Sequence, residues 1–354
     1  MVFRNGGFFE YNPTVELSEL SEFGLIERLR RLISQRQPHD LQPERQGRRL
    51  LVGIGDDCSV WQQGEIAELA TTDTLVQDIH FRLDTTSWRD LGWKALAVNL
   101  SDIAAMGGVP SYALVTLGLP DGPLVEGILE LYEGMLDCAE RYGTSVVGGD
   151  IVHAPCLFVS ITLLGVASGK IPFPNNVLLR STAAPNDAIA VTGHVGAAAA
   201  GLRLLNAARS DVPAALDAHR RPVPRVELGQ LALEAGVRCA MDVSDGLIGD
   251  LEKLCAASGL SAEVYLDRVP VLDAIRQIFP DDWAKLALAG GEDYELLLVA
   301  PAEVLDAVKE RSDLPVTIIG RMRHGSAPGK VTVRDASGHA LGLTQSGWDH
   351  LKRA

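Results

Sequence analysis

Short stretches rich in apolar and β-branched residues recur along the first half of the chain and predict β-strands. They lie at 50–54, 66–76, 112–119, 145–147 and 157–166. Between them, apolar residues return at helical spacing, and Ser87 followed by Asp90 resembles the start of a capping box. Helices are therefore predicted at 25–33, 87–107 and 124–142.

The second half repeats this alternation of strands and helices. Strands are predicted at 188–192, 239–243, 262–266, 294–299 and 316–321, and helices after residue 192 and at 247–258 and 302–311. The segment Gly169–Asn176, with two prolines and two asparagines, is the best candidate for a linker. The pattern therefore predicts an α/β or α+β protein with two domains, 1–168 and 169–354, and a polar loop at 35–49.

Composition supports a globular chain and limits its partners. Of 354 residues, 47% are hydrophobic and 22% are charged, and the formal net charge is −14. Such a charge disfavours binding to nucleic acid or to an anionic membrane, because both are themselves negative. The apolar stretch Leu157–Gly169 is too short to span a bilayer, and Met1–Arg30 lacks a signal-peptide core, so we expect a cytoplasmic protein without a membrane partner.

The five cysteines show no C-x-x-C pairing and indicate neither a disulfide framework nor a zinc site. Cys58 directly follows a pair of aspartates. We interpret it as a small buried residue beneath a glycine turn rather than as a nucleophile.

Aspartates beside glycine, serine or threonine follow several of the apolar stretches. They occur in Gly53–Asp57, Thr71–Thr74, Asn99–Asp102, Gly148–Asp150 and Asp242–Gly246. Two carboxylates about 4 Å apart repel by roughly 4 kcal/mol at an effective dielectric constant of 20, so convergence of these segments would require cations. Mg²⁺ takes oxygen ligands and commonly bridges carboxylates to phosphates. The pattern therefore predicts a magnesium-phosphate site.

The backbone geometry expected around these aspartates favours particular side chains. Alternation along a strand would turn Asp57, rather than Asp56, inward. Asn99 and Asp102 lie three positions apart on one helix face, within an apolar segment that favours metal binding over an exposed charge. If the strand after Thr74 continues, His80 shares its face and could reach a phosphate.

Each of these residues also has a structural interpretation. An exposed Asp-rich turn at Asp56 and Asp57 is common without a ligand. His80 could serve the fold alone, and Ser244 or Asp245 could cap the helix that follows them. The sequence Gly325–Lys330 superficially looks like a phosphate-binding P-loop, but it lacks one spacer residue and the terminal Ser/Thr, and it leads into a predicted strand.

Six segments, in this order, closely resemble the thiamine-monophosphate kinase family of the aminoimidazole-ribonucleotide-synthetase-like superfamily. They are Gly53–Asp57, Thr72–Leu75 with His80-Phe81, Lys94–Gly107, Gly148–Asp150, Asp242–Leu247 and Gly290–Leu296, and the resemblance covers about 50–350. It implies ATP-dependent phosphorylation of thiamine monophosphate to thiamine diphosphate, with release of ADP. It also implies a two-domain fold whose N-terminal domain binds ATP and magnesium and pairs across a twofold axis in a barrel-like homodimer interface.

The resemblance also implies roles for individual residues. The metal-site residues would be Asp57, Thr71, Thr72, Asp73, Asp102, Asp150, Asp242 and Asp245, which would hold several Mg²⁺ ions. The nucleotide contacts would be Tyr132, Gly149, Asp150, Arg180 and Ser244. The thiamine-phosphate contacts would be His80, Glu292 and Trp348. Thr71 stands where the family often has serine, and Trp348 where it often has tyrosine. The segment Lys170–Leu179 is longer than usual in the family, and this length affects the assignment of Arg180 as a nucleotide contact.

The acceptor would be a phosphate oxygen that is already anionic near neutral pH. No protein nucleophile or general base is therefore expected, and catalysis would consist of bringing two phosphates in line on metal ions. Two alternatives stay open. One is another ATP-using synthetase of the superfamily, although this chain lacks the reactive Cys or selenocysteine and Lys that selenophosphate synthetases usually have near the N-terminal glycine-rich segment. The other is a non-catalytic magnesium-nucleotide sensor.

Overall fold

Two six-stranded sheets form the framework of the computed structural model, which describes residues 20–36, 47–167, 173–324, 327–342 and 346–351. The chain divides into two compact units, one made of residues 1–43 with 349–354 and the other of residues 44–348. The first unit contains helix α1 (Glu22–Arg36), which includes the helix predicted at 25–33. Both sheets belong to the second unit.

The first sheet has the strand order β1-β2-β3-β6-β4-β5. Its strands are β1 (Arg48–Val52), β2 (Ser59–Gln63), β3 (Ile66–Val76), β4 (Gly108–Leu119), β5 (Ser145–His153) and β6 (Phe158–Ala167). Only β4 and β5 pair in parallel, and the other neighbours are antiparallel. In β3 the buried residues Ala67, Leu69 and Leu75 alternate with more exposed positions, as expected of a strand with one face against the core.

Two long helices accompany this sheet: α2 (Trp88–Ala105) and α3 (Val125–Arg141). The Ser87 hydroxyl accepts a hydrogen bond of 3.1 Å from the Asp90 backbone N–H, so the predicted N-terminus of α2 is confirmed. Fourteen α2 residues, from Leu91 to Ala105, are buried. This burial means that any charged side chain in the middle of α2 requires a partner.

The second sheet has the order β12-β9-β11-β7-β10-β8. Its strands are β7 (Ala188–Thr192), β8 (Cys239–Asp242), β9 (Ser261–Tyr265), β10 (Leu296–Ala300), β11 (Val316–Arg323) and β12 (Val331–Arg334). The helices are α4 (Ala197–Asn206), α5 (Pro213–Arg220), α6 (Val226–Ala235), α7 (Leu247–Ala257), α8 (Asp273–Ile278), α9 (Trp283–Ala289) and α10 (Ala302–Arg311). Every residue of β10 is buried, because this apolar strand lies inside the sheet with helices beside it.

One continuous apolar core joins the two sheets. It contains Leu69 and Ile161 from the first sheet, Leu100 from α2, and Leu298 from the second sheet. A second core lies among Val191, Met241 and Leu251 and their neighbours. The predicted boundary at 168/169 falls within residues 168–172, which are outside the described part of the chain, and it remains a prediction.

The structure corrects several local expectations. The predicted loop at 35–49 is wrong at both ends, because Arg36 ends α1 and Arg48 begins β1, while 37–46 lie outside the described residues. Strand β2 was not anticipated, since its five residues include Ser59, Gln62 and Gln63 and lack a clear apolar alternation.

Among the described residues, no helix is both long and apolar enough to cross a membrane.

The strand predicted at 145–147 is longer in the structure, because β5 continues through Gly148–Asp150 to His153. A bulge between β4 and β5 accompanies this segment. Gly149 has a φ of +156°, and a Cβ there would lie 1.8 Å from the Val115 carbonyl oxygen. Close approach to the neighbouring strand therefore explains this glycine without reference to a ligand.

Candidate active site

Three carboxylates from distant parts of the sequence converge near the end of β8. One oxygen atom from each of Asp57, Asp102 and Asp242 lies within 4.8 Å of the other two. Asp57 and Asp242 are buried, and Asp102 is half-buried. This is the one cluster of potential acidic, histidine or cysteine ligands found among the described residues. Oxygen-only ligands at this spacing suit a hard divalent cation such as Mg²⁺.

Helix α2 connects the carboxylates of the two sheets. The Thr71 hydroxyl of β3 donates a hydrogen bond to Asp102, and the Ser101 hydroxyl donates to Oδ2 of Asp242 over 2.6 Å. Asn99 Oδ1 accepts a hydrogen bond of 3.0 Å from the Asp73 backbone N–H. Thr71 and Asp73 therefore lie on the face of β3 that is beside α2. Their partners Asp102 and Asn99 lie on one face of α2, as predicted.

The electrostatics of this cluster favour a bound cation. Burial, followed by repulsion from Asp73 and other carboxylates, raises the pKa of Asp102 well above its ordinary value. Burial and the neighbouring Asp57 likewise raise the pKa of Asp242 well above its ordinary value. A divalent cation would lower both pKa values by stabilising the charged carboxylates. The donor set and its charge therefore fit magnesium.

Asp56 and Asp57 both contact Arg180, so the expectation that only Asp57 turns inward is wrong. The Arg180 guanidinium donates hydrogen bonds to Asp57, and the Arg180 backbone N–H donates to Asp56 Oδ2 over 3.2 Å. Strand β1 ends at Val52, so residues 53–57 do not follow strand alternation. Burial, followed by repulsion from Asp57, raises the pKa of Asp56 to about 7.

The turn after β8 brings together three more predicted site segments. The Glu292 backbone N–H donates to the Ser244 carbonyl over 2.7 Å, and the Trp348 N–H donates to the Asp245 carbonyl over 2.9 Å. A Cβ at Gly291 would lie 2.6 Å from the Ser244 carbonyl oxygen, so only glycine permits this approach. The predicted metal turn and the predicted acceptor residues are therefore neighbours.

Glu292 is held by two basic side chains. Lys94 Nζ lies 2.6 Å from Glu292 Oε1, and His219 Nδ1 lies 3.1 Å from Oε2. Burial alone would raise the pKa of Glu292, but Lys94 and His219 outweigh it and hold that pKa at about 2. The backbone of Glu292 has a φ of +70°, a conformation that costs a non-glycine residue about 1 to 3 kcal/mol and that is frequent at ligand sites.

The carboxylate cluster does not include several other predicted residues of the described chain. Asp150 is exposed on β5, where it lies opposite Thr116, and Tyr132 is half-buried on α3. The Thr72 hydroxyl donates to the Ile161 carbonyl on β6, away from Thr71 and Asp73. The assignments of Asp150, Gly149, Tyr132 and Thr72 to metal or nucleotide remain predictions.

His80 does not lie on an extended strand, so that expectation is wrong. Strand β3 ends at Val76, Asp78 has a φ of +63°, and the Val76 backbone N–H donates to His80 Nδ1 over 3.0 Å. This contact fixes the ring in a turn and leaves its role in binding a phosphate as a prediction.

Two further expectations concern Cys58 and the helix after Gly246. Cys58 is buried, and burial raises the pKa of its thiol well above the ordinary value, which agrees with a structural thiol rather than a nucleophile. Neither Ser244 nor Asp245 caps α7, whose N-cap residue is Gly246 without a side-chain cap.

Several residues around the site were not anticipated from the sequence: Lys94, Ser101, His219, Asp250 and Lys253. Lys94 offers one signal, because it is a charged residue between apolar neighbours in α2, where it is almost fully buried. His219 lies in α5, far from Glu292 in sequence. No local sequence pattern indicates that the side chains of His219 and Glu292 meet.

Known proteins match both halves of this fold. The model of the AIR synthase related protein N-terminal domain matches residues 55–167, and that of the C-terminal domain matches 184–330. Thiamine-monophosphate kinase of Bacillus subtilis strain 168 is 37% identical over 313 residues, which cover 85% of this chain and 94% of that protein.

Solved structures show the same similarity. That of AaThiL complexed with AMPPCP and TMP has a TM-score of 0.78 and 30% identity, and the match covers 95% of this chain and 99% of that one. The thiamine-monophosphate kinase of Stenotrophomonas maltophilia K279a has a TM-score of 0.70 and 36% identity, over 91% of this chain and 98% of that one.

The fold and the carboxylate cluster define a protein of the AIR synthase related class, with Asp57 and Asp102 in the first matched domain and Asp242 in the second. Within that class, the chain belongs to the thiamine-monophosphate kinase family.

Proposed function

We propose that this protein transfers the γ-phosphoryl group of ATP to thiamine monophosphate and so forms thiamine diphosphate and ADP. The observation that carries the proposal is the convergence of Asp57 and Asp102 with Asp242, within 4.8 Å, in a chain 37% identical to a thiamine-monophosphate kinase. The likeness to AaThiL, which was solved with AMPPCP and TMP, supports ATP as the phosphoryl donor.

Magnesium ions held by this cluster would neutralise the phosphates and stabilise the charge of the transition state. Asp57, Asp102 and Asp242 would bind them, and the hydrogen bond from the Thr71 hydroxyl would orient Asp102. The further ligands Thr72, Asp73, Asp150 and Asp245 belong to the proposal, as does the number of ions.

The chain's own residues would bind and align the two substrates. Ser244 lies in the turn that leads into α7 and would offer its hydroxyl to a phosphate, and Arg180 supplies a guanidinium beside Asp57. Glu292 and Trp348 flank the same turn and would hold the thiamine moiety. The acceptor oxygen is already anionic, so no protein base is needed.

Purified protein incubated with ATP, Mg²⁺ and thiamine monophosphate tests this function directly. We expect thiamine diphosphate and ADP in equal amounts, and no product when thiamine monophosphate or Mg²⁺ is omitted. ADP release that requires a different acceptor would favour another synthetase of the class. ATP binding without acceptor-dependent ADP release would favour the nucleotide sensor.

Replacement of Trp348 by alanine is expected to weaken the acceptor more than ATP. Trp348 is 44% exposed beside the Asp245 turn, and stacking of a cation on such a ring contributes about 1 kcal/mol. We expect the KM for thiamine monophosphate to rise about fivefold, with the KM for ATP nearly unchanged. Trp348→Tyr keeps an aromatic ring and is the matched control. Equal changes in both KM values would remove Trp348 from the acceptor site.

The proposal includes a homodimer formed through the first sheet. Among the described residues, β5 has a neighbouring strand on one side only, and its Val147 and Ile151 are 56% and 64% exposed. Tyr112 and Leu114 on the adjacent β4 are also exposed. An apolar edge of this kind favours pairing with a second copy of the chain.

Ile151→Glu is therefore expected to shift the protein from dimer to monomer, because a charge would be buried without a partner at the interface. Sedimentation velocity across a concentration series measures the change. Leu314→Glu, which places the same charge at an exposed leucine after α10, is the control and should remain dimeric. A monomeric wild-type protein would refute the dimer.

A cytoplasmic location, where ATP and magnesium are available, completes the proposal.

A further inference from the structure

The turn between β8 and α7 is organised by one buried carboxylate. The backbone N–H groups of Ser244, Asp245 and Gly246 all donate to Asp250 Oδ2, each over 3.0 Å. Asp250 is fully buried, so these bonds are shielded from competing water. The carboxylate of Asp250 thus determines the conformation of the turn that carries Ser244 and Asp245.

Lys253 lies three positions after Asp250 on α7 and places its ammonium group between two carboxylates. Lys253 Nζ is 2.7 Å from Asp250 Oδ1 and 2.5 Å from Asp245 Oδ2. The side chains of Lys253 and Asp245 are 15% and 22% exposed, so this ion pair is largely removed from solvent screening. The ammonium therefore occupies one of the two oxygens with which Asp245 could bind a divalent cation.

The two carboxylates depend on Lys253 to different extents. Asp250 keeps its three backbone donors whether or not Asp245 stays in contact with the ammonium. Lys253 can therefore release Asp245 while it remains bound to Asp250, and the buried carboxylate stays compensated. An arrangement of this kind lets one side chain change its cation without disturbing the turn.

Asp57 of the first matched domain has a comparable counter-ion. The Arg180 guanidinium contacts Asp57, which belongs to the carboxylate cluster. Asp57 and Asp245, one from each matched domain, thus each have a basic side chain of this chain as their counter-ion. Without divalent cations, such pairs reduce the repulsion among the site carboxylates.

We propose that Lys253 is the resident counter-ion of Asp245: it joins Asp245 to Asp250 in the metal-free protein and yields Asp245 to an incoming divalent cation. This inference rests on the proposed function, because it takes Asp245 as a magnesium ligand. Lys253 is then a positioning residue, which competes with the metal for one carboxylate and keeps the turn in place through another.

Competition of this kind makes a prediction about metal affinity that a purely structural lysine does not. Thermal unfolding is measured for wild type and Lys253→Met in EDTA and across a titration with MgCl₂ alone, without nucleotide. We expect the variant to melt at a lower temperature in EDTA and to be stabilised more by Mg²⁺. Its midpoint Mg²⁺ concentration should fall about fivefold, since a competing charge has been removed.

Three further variants make the result decisive. Lys253→Arg keeps the charge and should behave like wild type. Lys285→Met removes an exposed lysine of α9 and should change neither the melting temperature nor the Mg²⁺ midpoint, which controls for net charge. Lys253→Gln keeps a donor for Asp250 without the charge, and it should show the lower midpoint even if Lys253→Met fails to fold.

An unchanged or higher Mg²⁺ midpoint in the uncharged Lys253 variants would overturn the inference, as would a wild-type protein that Mg²⁺ does not stabilise. The failure of the proposed function is a separate result, because it appears as absence of thiamine diphosphate in the assay of the wild-type enzyme. The unfolding titration contains neither ATP nor thiamine monophosphate, so its result does not depend on turnover.

Discussion

Asp102→Asn is expected to lower kcat/KM by about 100-fold or more while the protein remains folded. Asp102 lies in the cluster with Asp57 and Asp242, and the amide would remove one negative charge from the proposed magnesium site. The loss should be largest at limiting magnesium, because the variant binds the cation more weakly. Initial rates of thiamine diphosphate formation across a magnesium titration measure both effects.

The same substitution should not destabilise the metal-free protein. Burial and neighbouring carboxylates raise the pKa of Asp102, which means that its charge opposes folding when no cation is bound. The asparagine can still accept the hydrogen bond from the Thr71 hydroxyl. We therefore expect an equal or higher melting temperature in EDTA, together with a smaller gain in melting temperature when Mg²⁺ is added.

Asp306→Asn is the matched control, since Asp306 is an exposed aspartate on α10. It should leave the rate and the magnesium dependence unchanged. If Asp102→Asn keeps the wild-type rate at every magnesium concentration, the assignment of the cluster as the metal site is wrong. If its rate falls only because the protein unfolds, the residue serves the fold and not the reaction.

Lys94→Met is expected to lower the free energy of unfolding by about 2 to 3 kcal/mol. Removal of one partner from a fully buried ion pair costs about 3 to 5 kcal/mol, because the other charge is left uncompensated. The Glu292 side chain is 24% exposed and also faces His219, so a smaller loss is expected here. Urea unfolding at neutral pH measures it, and Lys309→Met, at an exposed lysine of α10, is the control.

The effect of Lys94→Met should depend on pH in a defined direction. Glu292 has a pKa of about 2 in the folded protein against an ordinary value of 4.5, so its ion pair stabilises the fold above about pH 4.5. That contribution is lost as the pH falls toward about 2. The difference in stability between wild type and Lys94→Met should therefore shrink over this range.

The double variant Lys94→Met with Glu292→Gln separates the pair from simple loss of packing. With both charges removed, no carboxylate is left uncompensated, so the double variant should be more stable than Lys94→Met alone. If the double variant is instead destabilised by the sum of the two single effects, the contact between Lys94 and Glu292 contributes no coupling energy.

Elements whose pattern is local were predicted well. Strand β3 has the predicted bounds, Ile66–Val76, because apolar and β-branched residues fill it. Helix α2 begins after Ser87, because a side-chain oxygen can satisfy a free backbone N–H at that point. Strand β2 was missed because its short segment is stabilised by pairing with β1 and β3 rather than by its own composition.

The identities of the site residues could likewise be predicted only in part. Residue type and order indicated Asp57, Asp102 and Asp242 and their chemistry, and these three do converge. The hydrogen-bond and ion-pair partners of the site residues were not predictable, because Lys94 reaches Glu292 and Ser101 reaches Asp242 across more than a hundred positions of sequence. Only the packing of α2 against both sheets creates those contacts.

By itself, the sequence determined the alternation of strands and helices, the family, and the acidic residues that suit magnesium and phosphate, because each depends on residue type and near neighbours. The tertiary structure alone decided which of those acids meet, that Glu292 is paired with Lys94 and His219, and that Asp250 and Lys253 govern the Asp245 turn. The physical reason is that charge–charge energies depend on distance and burial, and both are established only when the chain is folded.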